Sequence, residues 1–488
     1  MKRIFALSFF TIISLTLALA NGNDGPGFNI RVKLDNYPAS ELVLGFHFGE
    51  KQYVKDTATI GKDGWFTFKA DTLLPPGIYL MVMQPTNNYI QILIPEKDQQ
   101  FLVTTDANDS VNKMKFKGSP DNEAFYDYLR FLGKHKPEAD SIRAKFNELK
   151  GNPADSIRLT NELVRLDKVV KQYQQDIIKK NPTSLTARIT KASIEPEIPE
   201  FKGDEATVTK ERYFWIREHY FDNIDITDPA LLRSPILQPK VDAFITKIVP
   251  QHPDSVNIAL DQLFDKLKNA PEIRKYFLVH FLNFYAKSQL VGFDACYVHL
   301  AQAYYCVGLA PWTNKEDLEK ICDNASRLEP ILIGKIAPNI VVSDRNNQQH
   351  ALWDVDADYT VLFFWAPDCG HCKKAAPFMV DFAKKYKDQG VKVFAVCTFV
   401  AKDEAGKDAP DCWQGIEEKG FSDDLFMNMV DPFIRSRYKK LYDVQTTPAI
   451  FILDRNHKIL MKRIGAEQLD KVMEEVIKFE GEKRKESD

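Results

Sequence analysis

Two cysteines with two residues between them carry the strongest chemical signal in this chain, in the run Trp365-Ala366-Pro367-Asp368-Cys369-Gly370-His371-Cys372-Lys373-Lys374. Seven cysteines in 488 residues are too few for a disulfide scaffold, so a pair at a special spacing reads first as chemistry. A zinc site would need two further ligands, and the sequence offers neither a second Cys-x-x-Cys nor a nearby histidine pair. No metal and no cofactor are therefore expected, and thiol–disulfide exchange is the chemistry that remains.

At the start of a helix this spacing leaves the first sulfur at the exposed N-terminal end and the second one turn in. Free backbone N–H groups and the positive end of the helix dipole then stabilise a thiolate on Cys369. That thiolate would attack a partner's disulfide, and Cys372 would resolve the mixed disulfide. An imidazole at His371 would favour the thiolate further, whereas a carboxylate at Asp368 opposes it, so the sign of their net effect stays open.

The elements that must position this pair can be read from the surrounding pattern. Tyr359 to Trp365 is a continuous apolar run, as expected of a buried strand, and Lys373 to Tyr386 follows as a helix. Val391 to Phe399, Phe426 to Asp431, Ala449 to Asp454 and Lys458 to Ile464 read as further strands. Helices are expected near Trp413 to Lys419, at Ile434 to Leu441 and from Ala466 to about Lys478. Repeated βα units closed by a strand pair and a helix describe a mixed sheet with helices on both faces.

This segment resembles the thioredoxin fold, and more closely the exported TlpA/ResA-type thiol-disulfide oxidoreductases. The resemblance runs from Gly334-Lys335-Ile336-Ala337-Pro338 to the end. It includes the lead-in Phe364-Trp365-Ala366, the Cys369/Cys372 pair, Pro377, and Thr447-Pro448 before Ala449-Ile450-Phe451-Ile452. It implies a redox-active Cys369–Cys372 disulfide, a cis Pro448 whose loop packs against the pair, and a substrate bordered by Trp365, Thr447 and Pro448. A cis proline would expose the backbone before it for pairing with an extended peptide. The implied partners are protein thiols or disulfides and a second redox protein that supplies or accepts electrons. Two positions depart from the pattern. Phe363 stands where thioredoxins bury an aspartate, and Ala375 stands where ResA-like proteins have a glutamate three residues after the second cysteine. The dipeptide Gly370-His371 is that of protein disulfide isomerases, with a potential around −180 mV. A thiol peroxidase would carry threonine three residues before the reactive cysteine, where this chain has Ala366.

Elsewhere the chain reads as a multidomain protein: an N-terminal antiparallel β-sandwich, a central all-α region and the C-terminal α/β thioredoxin-like fold. Met1-Lys2-Arg3, an apolar run and Ala18-Leu19-Ala20 read as a signal peptide cleaved after residue 20, and no later stretch is long and apolar enough for a transmembrane span. Residues 28–118 alternate with period two and are expected to form seven or eight strands. Residues 119–195 show helical spacing punctuated at Lys136-Pro137 and Gly151-Asn152-Pro153. After a linker rich in proline and acid, residues 200–330 form a second helical domain, and 334–482 the thioredoxin-like one.

The aromatic clusters Tyr213-Phe214-Trp215 and Tyr276-Phe277 through Phe284-Tyr285 are expected to be core, and His219, His280 and His299 to be structural. Cys296, Cys306, Cys322, Cys397 and Cys412 read as buried free thiols, with a Cys397–Cys412 bridge as the alternative. A net charge of −3, from 65 basic and 68 acidic side chains, argues against nucleic acid as a partner. The expected location is the periplasm of a Gram-negative bacterium. The expected function is exported disulfide exchange, the alternative being a binding or scaffold protein whose thioredoxin-like domain is a structural or redox-sensing module.

Overall fold

The computed structural model describes residues 27–148, 153–398, 411–431 and 435–487. The expected signal peptide, the end of the strand expected at Phe399 and the start of the helix expected at Ile434 lie outside the described residues. The chain divides into two compact units, one ending at Lys240 and the other beginning at Val241. This boundary falls inside the segment expected as one helical domain.

In the first unit, β1 (Phe28–Asp35), β2 (Glu41–Phe48), β3 (Lys51–Thr59), β4 (Phe66–Ala70), β5 (Gly77–Met83), β6 (Asn88–Ile94), β7 (Gln100–Asp106) and β8 (Lys115–Lys117) form two sheets of four. Their orders are β4-β1-β7-β8 and β3-β2-β5-β6. Alternate residues such as Ile30, Val32, Leu42 and Leu44 are buried, as the period-two pattern requires. The sandwich departs from a purely antiparallel one at β1 and β7, which pair in parallel. Strand β3 is exposed almost throughout, which is why apolar alternation does not betray it in sequence.

The helix Pro120–Glu148 runs straight through Pro137. Proline removes one backbone hydrogen bond and costs about 3 kcal/mol inside a helix. Packing against the helix Pro153–Lys180 opposes that cost, with Phe131 stacked on Tyr173 at 4.0 Å and Ile142 in one cluster with Leu159 and Leu166. Near its start, Asn122 donates to Leu93 O and accepts from Leu93 N, sealing the β6 edge. The helix Glu205–His219 buries no residue and Phe214 is 52% exposed, so the first aromatic cluster is not core.

In the second unit the second cluster is core, with Phe277, Phe281 and Tyr285 buried on the helix Pro271–Ala286. His280 holds Asp242 at 2.8 Å and His299 holds Asp261 at 2.8 Å, while in the first unit His219 holds Asp222 at 2.7 Å. Each is a satisfied structural histidine. Four of the five cysteines outside the motif are paired, as Cys306–Cys322 and Cys397–Cys412, which corrects the expectation of free thiols. Their sequence separations of 16 and 15 carry no local signature. Cys296 alone of the five stays a buried thiol, and burial pushes its pKa up to about 12.

The rest of this unit is built on one sheet of seven strands, in the order β10-β9-β13-β12-β11-β14-β15. These are β9 (Val341–Ser343), β10 (Gln349–Ala351), β11 (Tyr359–Trp365), β12 (Val391–Cys397), β13 (Phe426–Val430), β14 (Ala449–Asp454) and β15 (Ile459–Lys462). β11 pairs in parallel with β12 and antiparallel with β14. It is buried at every residue, which explains its unbroken apolar run. Lys462 on β15, 1% exposed in its side chain, is ion-paired with Asp294 on the helix Asp294–Leu300. That contact ties the helical part of the unit to the edge of its sheet.

Candidate functional site

Where β11 ends, the main chain is held firmly. The N–H and hydroxyl of Thr398, just past β12, both donate to Trp365 O, at 2.7 and 3.0 Å. The chain then turns through Ala366, Pro367 and Asp368, and the N–H of Cys369 reaches back to Ala366 O at 3.4 Å. The helix Gly370–Tyr386 starts at once, and Cys369 is its N-cap.

A sulfur in the N-cap position does what a serine or aspartate oxygen usually does there: it accepts a free N–H of the first turn. Cys372 N donates to Cys369 Sγ at 3.2 Å, and the Cys369 thiol donates to Thr447 O at 3.2 Å. Cys369 is half-buried, whereas Cys372 is 1% exposed, so one sulfur faces outward and the other faces the core.

The two thiols are pushed in opposite directions. Partial burial raises the pKa of Cys369, but hydrogen bonds from the Cys372 thiol, the Thr447 side chain and the N–H groups of Cys372 and His371 outweigh it, leaving Cys369 below the ordinary thiol value. Burial and the neighbouring Cys369 sulfur raise Cys372 to about 12. His371 therefore acts on Cys369 through its backbone, and apart from the charge of the Cys369 sulfur on Cys372 no charged side chain is among the groups that act most strongly on either sulfur. Both His371 and Asp368 are exposed.

The Thr447–Pro448 peptide is cis and lies beside the pair, with both residues half-buried. Trp365 is not at the surface. It is wholly buried, edge-on to Phe421 at 5.2 Å, so the expectation that it borders a substrate is corrected: its ring has no exposed face to offer. The turn between Trp365 and Cys369 is also contacted by a residue that no motif singles out. Lys419, at the end of the helix Cys412–Lys419, donates to Pro367 O at 2.9 Å. Phe363 and Ala375, at the two positions where related proteins keep carboxylates, are both buried and apolar.

This arrangement presents one accessible sulfur of lowered pKa backed by one buried thiol of raised pKa, which is what stepwise disulfide exchange requires.

Residues 333–462 match the AhpC/TSA family. Residues 28–125 and 170–329 match two domains of unknown function, DUF4369 and DUF5106. The thiol-disulfide oxidoreductase ResA of Bacillus cereus is 30% identical over 154 residues, which is 31% of this chain and 81% of the relative. ResA of Bacillus subtilis is 40% identical over 68 residues, 14% of this chain and 38% of that one. Among solved structures, a domain of a possible thiol-disulfide isomerase from Cytophaga hutchinsonii is 33% identical, with a TM-score of 0.27, covering 32% of this chain and 97% of the other.

Proposed function

The chain belongs to the ResA-type thiol-disulfide oxidoreductases, and from that premise we propose that it is an exported enzyme working through Cys369 and Cys372 of its Cys-Gly-His-Cys motif. The observation that carries this reading is the placing of the two sulfurs on one helical turn: Cys369 caps the helix half-buried and accepts the N–H of Cys372, whose own sulfur is buried.

In the reducing direction, the Cys369 thiolate attacks one sulfur of a partner's disulfide. A mixed disulfide forms, and the partner's second sulfur leaves as a thiolate that takes up a proton. Cys372 then loses its proton and attacks Cys369 Sγ, which releases the partner's first thiol and leaves the Cys369–Cys372 disulfide. Two electrons and two protons have passed to the partner, and a second redox protein returns the pair to the dithiol. Oxidation of a partner dithiol is the same sequence reversed.

No carboxylate stands at Phe363 or Ala375 to take the Cys372 proton. The mixed disulfide itself lowers the barrier. Two of the influences that raise Cys372 are its hydrogen bond to the Cys369 sulfur and the charge there, and both vanish once that sulfur is bonded to the partner. The Cys372 pKa then falls at the step where it must ionise.

Thr447 and Pro448 border the substrate in this reading. Export is supported by the N-terminal sequence and by two disulfides away from the motif, which persist in oxidising compartments such as the periplasm. Among the described residues no helix is long and apolar enough to cross a membrane. The test is a pair of variants. Cys369→Ala should abolish reduction of insulin disulfides, and Cys372→Ala should accumulate mixed disulfides with partner proteins. Full activity of Cys369→Ala would refute the assignment.

A further inference from the structure

One short helix meets the turn before Cys369 at two points and is itself anchored at a third. At its start, Cys412 is bridged to Cys397. Cys397 is the register partner of Trp365 on the neighbouring strand, and both bridge residues lie in the same core cluster as Cys372. In its middle, Gly415 lies against the turn so closely that a Cβ there would stand 2.8 Å from Pro367 Cβ and 3.2 Å from the Trp365 ring. At its end, the Lys419 ammonium donates to Pro367 O at 2.9 Å while standing 5.3 Å over the Trp365 ring.

We propose that the helix Cys412–Lys419 braces the active-site turn, with Lys419 as a positioning residue for the attack by Cys369 and the Cys397–Cys412 bridge as the anchor of the brace. This rests on the reading of Cys369 as the nucleophile.

The physical case is one of geometry and polarisation. Pro367 lies two residues before the reacting sulfur, in the turn that the Cys369 N–H closes on Ala366 O. Proline has no N–H, so the carbonyl is the polar backbone group by which this residue can be held from outside. A cation on that carbonyl makes a charge-assisted hydrogen bond that fixes the turn. Displacement of a nucleophile by a fraction of an ångström is enough to slow an attack that must be in line with a disulfide.

The experiment compares Lys419→Met, Lys419→Arg, the double variant Cys397→Ala/Cys412→Ala, and that double variant combined with Lys419→Met. Two quantities are read on the reduced full chain: the second-order rate of Cys369 with a small aromatic disulfide, and the pH midpoint of Cys369 alkylation. Lys419→Met should slow the reaction by roughly tenfold and raise the midpoint, because the released turn no longer holds the Cys369 sulfur against the N–H groups that stabilise its thiolate. Lys419→Arg should stay within about twofold of the parent, since a guanidinium can also donate to Pro367 O and stack on Trp365. Removing the bridge should shift both readings in the same direction, and adding Lys419→Met to it should bring little further loss, as expected of two parts of one device.

A Lys419→Met variant with the parent's rate and pH midpoint would overturn the proposal, as would losses that multiply independently. If the bridge-less chain does not fold, the contrast between methionine and arginine at position 419 decides alone. The underlying reading fails separately: Cys369→Ala would then keep its reactivity whatever stands at 419.

Discussion

Cys369 and Cys372 differ in chemistry because two residues of helix, Gly370 and His371, separate a capping position from the core. The cap sulfur is offered the N–H of Cys372, and the second sulfur is offered burial. The Cys-x-x-Cys spacing makes this much legible from sequence. The source of the thiolate's stability is less so, because it comes from the Cys372 thiol, Thr447 and the N–H groups of Cys372 and His371 rather than from the side-chain charges of His371 or Asp368, which are what the sequence displays. The missing carboxylate gives a prediction of its own. Ala375 is buried one turn beyond Cys372, so Ala375→Glu would place a carboxyl of raised pKa where it can accept the Cys372 proton. It should speed resolution of the mixed disulfide by about tenfold near neutral pH, measured by single-turnover release of a partner thiol, at a cost of about 1–3 kcal/mol in stability for the buried polar group.

The elements around the pair owe their legibility to burial. β11 is covered on both faces and reads as an apolar run, whereas β3 is exposed and leaves no such trace. The helix Pro120–Glu148 shows the opposite failure: Pro137 is a strong local breaker, yet stacking and packing along the helix outweigh it. Disulfide pairing is legible only in part: the sequence offers Cys397–Cys412 as an alternative and Cys306–Cys322 not at all, because each pair meets only once its elements have docked. The close approach of the helix Cys412–Lys419 predicts a sharp sensitivity at Gly415. Gly415→Ala would press a methyl into Pro367 and Trp365 and should destabilise the protein by about 1–3 kcal/mol, read as a lower urea midpoint at unchanged slope.

Across the whole molecule, the enzyme is a redox module of about 150 residues carried on a longer chain, and the second unit is held together in part by a buried charge pair. Lys462 and Asp294 are both nearly inaccessible, 168 residues apart in sequence, and no pattern of charge along the chain announces them. Burial lowers the Lys462 pKa, against the pull of Asp294. Asp294→Leu should therefore cost about 3–5 kcal/mol by leaving the lysine unpaired, as should Lys462→Met by leaving the carboxylate unpaired, while the combined Asp294→Leu/Lys462→Met variant should be near neutral. Chemical denaturation of the parent, the two single variants and the double variant gives the coupling, and a double-variant loss equal to the sum of the two single losses would show that the charge pairing itself contributes nothing.

The central claim is that Cys369 is the activated thiol and Cys372 its buried reserve. It is tested most directly by alkylating the reduced protein with iodoacetamide over a range of pH and following each cysteine separately by peptide mass. The account predicts that Cys369 reacts with a midpoint below the ordinary thiol value of about 8.5. Cys372, raised to about 12, should stay unmodified across the same range while the protein remains folded. Equal reactivity of the two sulfurs, or a Cys369 midpoint at or above that of a free thiol, would contradict it.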